Sequence, residues 1–220
     1  MKPAKNHLSE RIQVGMVSAS GVHNNRTHQT MDERISKLVS HRAGPLPESE
    51  DAFRKACRDM LRIQSYKPTG RGKPASEYLL RTASERSFPR INPVADINNY
   101  ISLAYLVPVS LWDADKIDAD SWLFRAGLED ERFVFNPSGQ SIGLRDLATG
   151  FAVSEGVETP IVTPVKDCRL TKTDGNTRNI AAAVYYPASW NGVPELPDIL
   201  MEFSGILKEI SDHVESAIIV

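Results

Sequence analysis

The chain of 220 residues has only two cysteines, Cys57 and Cys168, and neither sits in a metal-binding or redox spacing. Cys57 falls on the apolar face of a predicted helix and reads as a core thiol. No run of 18 apolar residues is present to span a bilayer. The opening MKPAKNHLSER lacks the apolar centre of a secretory signal. A soluble, reduced, cytoplasmic protein with no membrane partner is the expectation. Internal repeats and low-complexity tracts are missing too. Excess charge of one sign is also lacking: the net charge of −2 exerts no overall pull towards nucleic acid or membrane.

What is there is an ordinary globular composition, 41% hydrophobic and 25% charged, in a chain long enough to bury a core. Charge is unevenly placed. Arg62, Lys67, Arg71, Lys73, Arg81, Arg86 and Arg90 face only Glu77 and Glu85, a local +5 that leaves −7 elsewhere. Such a segment is a phosphate-binding footprint or a solvated surface stretch.

Residues 1–10 are polar and read as frayed or partly helical. Ile12, Val14 and Met16 alternate with other residues towards a short strand ending near 18–21, and Ile35, Leu38 and Val39 mark a helix within 31–39. Ser49 is placed to cap a helix carrying Phe53, Ala56, Cys57, Met60 and Leu61 on one face. YKPTGRGKPAS at 66–76 is loop, and Ser76 is placed to cap SEYLLRTAS. INPVADINNYISLAYLVP at 91–108 begins with Asn92 as N-cap and Pro93 at the first helical position. Its apolar stripe is Val94, Ile97, Ile101, Ala104 and Tyr105. Asp96, Asn98 and Asn99 interrupt that helix, each costing about 0.5 kcal/mol relative to alanine. They tie down neighbouring loops or line a pocket.

Short strand patterns follow at VSLW, SWLFRAG, RFVF and PIVTPV, with NPSGQ as a turn. NIAAAVYYP at 179–187 reads as a buried central strand. From Asp198 a terminal helix is predicted, with Ile199, Phe203, Ile206, Ile210 and Ala217 on one face. Helices first and strands second predict an α+β protein, taken as one domain over 1–220.

Metal binding is not indicated: His7, His23, His28, His41 and His213 form no HxxxH pair. Nor does any motif call for a cofactor. TGRGK at 69–73 lacks the first glycine and preceding strand of a phosphate loop, and Pro74 follows its lysine. Its glycines and cations could still meet a phosphate backbone. GQSIG at 139–143 matches a serine-hydrolase nucleophile elbow in form, but Pro137 and Ser138 separate it from the strand before, so it reads as a turn. What remains is Asn92, Asp96, Asn99, Asp113, Asp115, Arg125, Asp167, Thr171, Thr173, Thr177 and Arg178. Such groups suit recognition of a small polar ligand. Alternatively Asp96, Asp113, Arg125 and Arg178 form a buried ion network.

The succession SEYLLR, INPVADINNYISL, VPVSLWDADKI, LFRAG and TKTDGNTRNIAAAVYYP resembles the tRNA-editing domain of the phenylalanyl-tRNA synthetase beta chain, built from its third and fourth modules. It resembles more closely still the freestanding proteins that consist of that domain alone, and the likeness runs from about Lys67 to Pro187. The resemblance implies helices packed around a β-sandwich-like core of mixed sheets. It implies tRNA or aminoacyl-tRNA as partner and hydrolysis of a mischarged aminoacyl ester in trans. Asn99 stands at the position of a pocket asparagine and Pro108 at that of the pocket-wall proline. Ser110 stands where the synthetase has a histidine, and CRLTKTDGN replaces its glycine-rich segment. In the synthetase the domain removes misattached tyrosine; discrimination of a substrate hydroxyl needs a placed hydrogen-bonding partner, so with these departures the resemblance leaves tyrosine specificity open here. The candidate pocket is therefore Asp96, Asn99, Pro108, Ser110 and Thr177, with Lys67, Arg71, Lys73, Arg81 and Arg86 as RNA contacts. The alternatives are a non-catalytic module binding an amino-acid-like ligand or a protein on the same scaffold and, more distantly, a hydrolase using Ser141.

Overall fold

A computed structural model describes residues 1–25 and 29–220; His28, one of the five histidines weighed above, falls outside them. The order is β1 (Ala4–Asn6), β2 (Ile12–Ser20), α1 (Gln29–Arg42), α2 (Glu48–Asp59), α3 (Ala75–Ser84), α4 (Pro93–Tyr105), β3 (Val109–Asp113) and β4 (Ser121–Ala126). Then come β5 (Arg132–Val134), β6 (Ser141–Gly143), β7 (Ala148–Ser154), β8 (Val157–Val162), β9 (Ile180–Pro187), α5 (Leu196–Leu207) and β10 (His213–Ile219). This is an α+β fold.

One sheet has the order β1-β4-β7-β8, with β1 parallel to β4 and the other pairs antiparallel. The second, wholly antiparallel, has the order β10-β2-β9-β3. β5 and β6 form a separate hairpin. All eight residues of β9 are buried, as an uninterrupted apolar run requires. Trp112 of β3 meets Trp122 of β4 at 5.2 Å, and Tyr185 of β9 meets Phe124 of β4 at 6.1 Å, both edge-on. These contacts join the sheets. On the opposite face, Tyr186 packs on Phe53 of α2, and the missing side chain of Gly15 lets Leu196 and Leu200 of α5 approach β2.

α4 starts as its sequence requires: the Asn92 side chain accepts from the Ala95 N–H (3.0 Å), and Pro93 opens the helix. Leu106 ends it in the left-handed region (φ 55°), held there by complete burial of its side chain. Tyr100 and Tyr105 both donate to Glu202, tying α4 to α5.

Four local expectations are corrected. Residues 4–6 are not frayed, because they pair with β4, and Asn6 is buried with its amide donating to the Ile12 carbonyl (2.8 Å). Ser49 and Ser76 are not caps. Pro47 and Pro74 take those positions without a side-chain bond, and acidic first turns answer the helix dipole instead. The terminal helix ends at Leu207, and residues 213–219 pair along the edge of β2 as β10, with Ala217 opposite Met16. There a free row of backbone donors and acceptors outweighs a helical periodicity that covered Ala217 only weakly.

Trp112→Ala removes the largest fully buried side chain between the sheets. We expect a loss of about 3–5 kcal/mol in urea unfolding followed by far-UV circular dichroism.

Candidate functional site

The loop at 66–74 owes its shape to its glycines and prolines. Gly70 takes a positive φ (53°), residues 70–72 make a short 3-10 turn, and the Tyr66 hydroxyl donates to the Gly72 carbonyl (2.8 Å). The Ala75 N–H donates to the Pro164 carbonyl (2.8 Å), which brings the start of α3 against the turn after β8. In that turn the Thr163 hydroxyl accepts from the Val165 and Lys166 amides. Two segments some ninety residues apart thereby become the walls of one groove of about 650 Å³.

Arg71, Lys73, Arg81 and Lys166 line this groove, along with Tyr78, Glu77 and Arg42. Glu77 is engaged by Arg54 and Arg58 of α2 and so does not offset the other cations. Arg71, Lys73 and Lys166 form no ion pair among the described residues, and Arg81 reaches Glu85 only at 3.8 Å. Lys166 lies 4.3 Å over the Phe135 ring. Burial holds its proton affinity below the ordinary lysine value, and the charges of Lys172 and Arg71 push it the same way. Arg42, only 6% exposed, bonds Glu50 and the Ala104 carbonyl and leaves its Nε without a partner among the described residues.

Of the proposed RNA contacts, Arg71, Lys73 and Arg81 line the groove. Lys67 is exposed at the start of the same loop, and Arg86 lines a separate hollow of about 510 Å³ beside Phe88 and Arg90. Arg62 and Arg90 of the basic segment are neutralised, by Asp59 and by Asp32 with Asp96. Lys166 and Arg42 carried no sequence signal. They reach the groove only through the fold.

The pocket candidates lie apart. Asp96 accepts from Arg90 Nε (2.9 Å) and the Ile91 N–H (2.8 Å), bracing the entry to α4 beside a cavity of about 370 Å³ that it lines with Asn92 and Gly175. The Thr177 hydroxyl donates to Asp113 (2.6 Å) and accepts from the Asp174 N–H (2.9 Å). Asn99 is half-buried in mid-helix with no side-chain hydrogen bond among the described residues. Pro108 is buried, and its carbonyl accepts from the Tyr185 N–H (3.0 Å). Ser110 is fully buried and donates to the Thr163 carbonyl (2.9 Å), with the Asp167 carboxyl and the Tyr185 hydroxyl as neighbours.

The single ion network weighed above does not form. Arg125 pairs with Glu131 and Glu158, and Arg178 donates to the Val22 and Thr177 carbonyls, so each group is satisfied locally. Ser141 opens β6 after a turn over 136–140, without the strand-to-helix elbow a nucleophile needs. Among the described residues, no group of three or more His, Cys, Asp or Glu is placed to hold a metal ion, and no helix is long and apolar enough to cross a membrane.

Two measurements separate bracing from availability. Thr177→Val leaves the buried Asp113 carboxylate short of a donor, and we expect a loss of about 1–3 kcal/mol in urea unfolding. Asn99→Ala leaves stability unchanged or raises it by about 0.5 kcal/mol, because no bond is lost and alanine is the better helix former.

Burial pushes the Asp167 carboxyl up to about 7, against the pull of Ser110, the Leu111 N–H and Lys172. The folded chain therefore keeps a proton that the unfolded chain, with a carboxyl near 3.8, releases. Stability from this group falls as pH rises from about 4 to about 7 and is level above. Asp167→Asn removes that fall, so its stability relative to the parent grows across this window, by no more than about 4 kcal/mol, in unfolding curves taken at stepped pH.

The model of the B3/4 domain family matches residues 64–189, over half of the chain and both walls of the groove. No curated protein matches. Among solved structures, an N-terminal fragment of the phenylalanyl-tRNA synthetase beta-subunit from Pyrococcus horikoshii is similar, at 10% identity and a TM-score of 0.42. The alignment covers 94% of this chain and 47% of that one, so this chain spans about half the length of the fragment.

Proposed function

The chain belongs to the B3/4 domain family, that of the phenylalanyl-tRNA synthetase beta-subunit, and from this premise we propose that it binds RNA, tRNA in the first instance, through the cationic groove and the loop beside it. One observation carries the reading: Arg71, Lys73 and Lys166 converge without carboxylate partners among the described residues, on a chain whose remaining charge is acidic. Cations held together without counterions repel one another, and a phosphate backbone relieves that repulsion while releasing its own condensed ions. We take residues 1–220 as one working unit, acting in the cytoplasm.

Hydrolysis of a mischarged aminoacyl ester in trans is the further step that family membership raises. Asn99, whose amide is uncommitted among the described residues, and Pro108 are the residues proposed to flank the aminoacyl group. A second reading, binding of RNA or an amino-acid-like ligand without hydrolysis, is favoured by the commitment of the Ser110 and Thr177 hydroxyls to Thr163 and Asp113.

Titrating tRNA at stepped salt concentrations tests the binding. We expect log K to fall linearly with log salt, and Arg71→Ala and Lys73→Ala each to reduce that slope by about 0.9 or less. Absence of salt-dependent binding removes the reading. A panel of mischarged tRNAs then divides the two versions: loss of ester above the spontaneous rate supports hydrolysis, and intact esters on bound tRNA support binding alone.

A further inference from the structure

We infer that the Lys166 side of the groove is a discrete site for a terminal phosphate on a nucleotide, a phosphomonoester dianion rather than a link of the backbone. The inference rests on the RNA reading for one source of that ligand, the 5′ end of an RNA chain; a free mononucleotide offers the same chemistry.

Charge counting distinguishes a monoester from a diester. Arg71 and Lys73 line the groove together with Lys166, Arg71 lies close enough to Lys166 to disfavour its protonated form, and none of the three pairs with a carboxylate among the described residues. The nearest acid in sequence, Asp167, is drawn inwards to the Leu111 N–H (3.3 Å) and is a poor counterion. A backbone diester brings one negative charge to such a cluster, whereas a monoester brings about 1.5 to 2 near neutral pH and three acceptor oxygens. Three cations without counterions match the second ligand.

Two further features locate the site. Arg42 is more than nine-tenths buried, lines the groove, and has an Nε donor without a partner among the described residues, so a polar group left unsatisfied lies in the groove wall. Tyr78 is 53% exposed on the same groove, and the Arg81 guanidinium lies 5.4 Å over its ring. A flat ring beside a cation is a stacking surface for any base, which places a nucleoside at the mouth and its phosphate within.

The test uses the full chain and a short single-stranded RNA, fluorescently labelled at its 3′ end, in 5′-phosphate and 5′-hydroxyl forms. Anisotropy titration is expected to show the 5′-phosphate form binding about tenfold more tightly, with AMP competing and inorganic phosphate competing less well. Lys166→Met keeps the stem over Phe135; as a groove cation its loss weakens both RNAs, and it is expected to weaken the 5′-phosphate form more, so that the preference between them is abolished. A matching thermal melt shows that its fold is retained. Should Lys166→Met melt early, Arg71→Ala, at an exposed position lining the groove, is expected to reduce the preference in its place. Equal affinity for the two RNAs overturns the site and leaves the RNA reading standing. Binding of AMP without either RNA upholds the site and removes the RNA reading. Competition by inorganic phosphate equal to that by AMP overturns the assignment of a nucleoside to Tyr78.

Discussion

Burial of β9 on both faces constrains every neighbouring position. The strand lies between β2 and β3, under sheet β1-β4-β7-β8 on one side and the helices on the other. Ala181, Ala182 and Ala183 keep it slim, and Tyr185 and Tyr186 reach out in opposite directions, to Phe124 of the facing sheet and to Phe53 of α2. A strand closed in this way has its register set by packing, since a slip of one residue would exchange those two tyrosines.

That register decides what β3 can do. Ser110 pairs with Ala183 and Trp112 with Ala181, so both side chains enter the space between the sheets. A hydroxyl delivered there is sealed from ligand and must satisfy itself internally, which Ser110 does on Thr163. The Thr163 turn holds Lys166 on its outer side and Asp167 on its inner side. A buried polar cluster and a cationic groove thus share one short segment. The cluster holds the turn in place, and the turn presents Lys166 to Arg71 and Tyr78.

Much of this was legible in the residues. Asn92-Pro93 announced α4, the apolar run at 179–187 announced β9, and the cations between 62 and 90 announced a charged face. The polar residues inside α4 had divided meanings that spacing could not separate. Asp96 braces the helix entry, and Asn99 is left without a partner among the described residues. Thr177 looked available for a ligand because its partner, Asp113, is 64 residues away. The charge count was also too coarse, since Arg62 and Arg90 are neutralised by acids, Asp59, Asp32 and Asp96, all three of which lie outside the counted window.

By itself the sequence determined the α+β class, the start of α4, the buried strand and the family, because each depends on local propensity or on a contiguous pattern of residues. Tertiary structure alone decided that 213–219 would pair with β2, that Ser110 would face inwards, and that Lys166 and Arg42 would join Arg71 in one groove. Those outcomes depend on which distant surfaces are left to be covered and which charges end up without counterions. No window along the chain carries that information. The groove is therefore legible only after folding, although every residue in it was in view from the start.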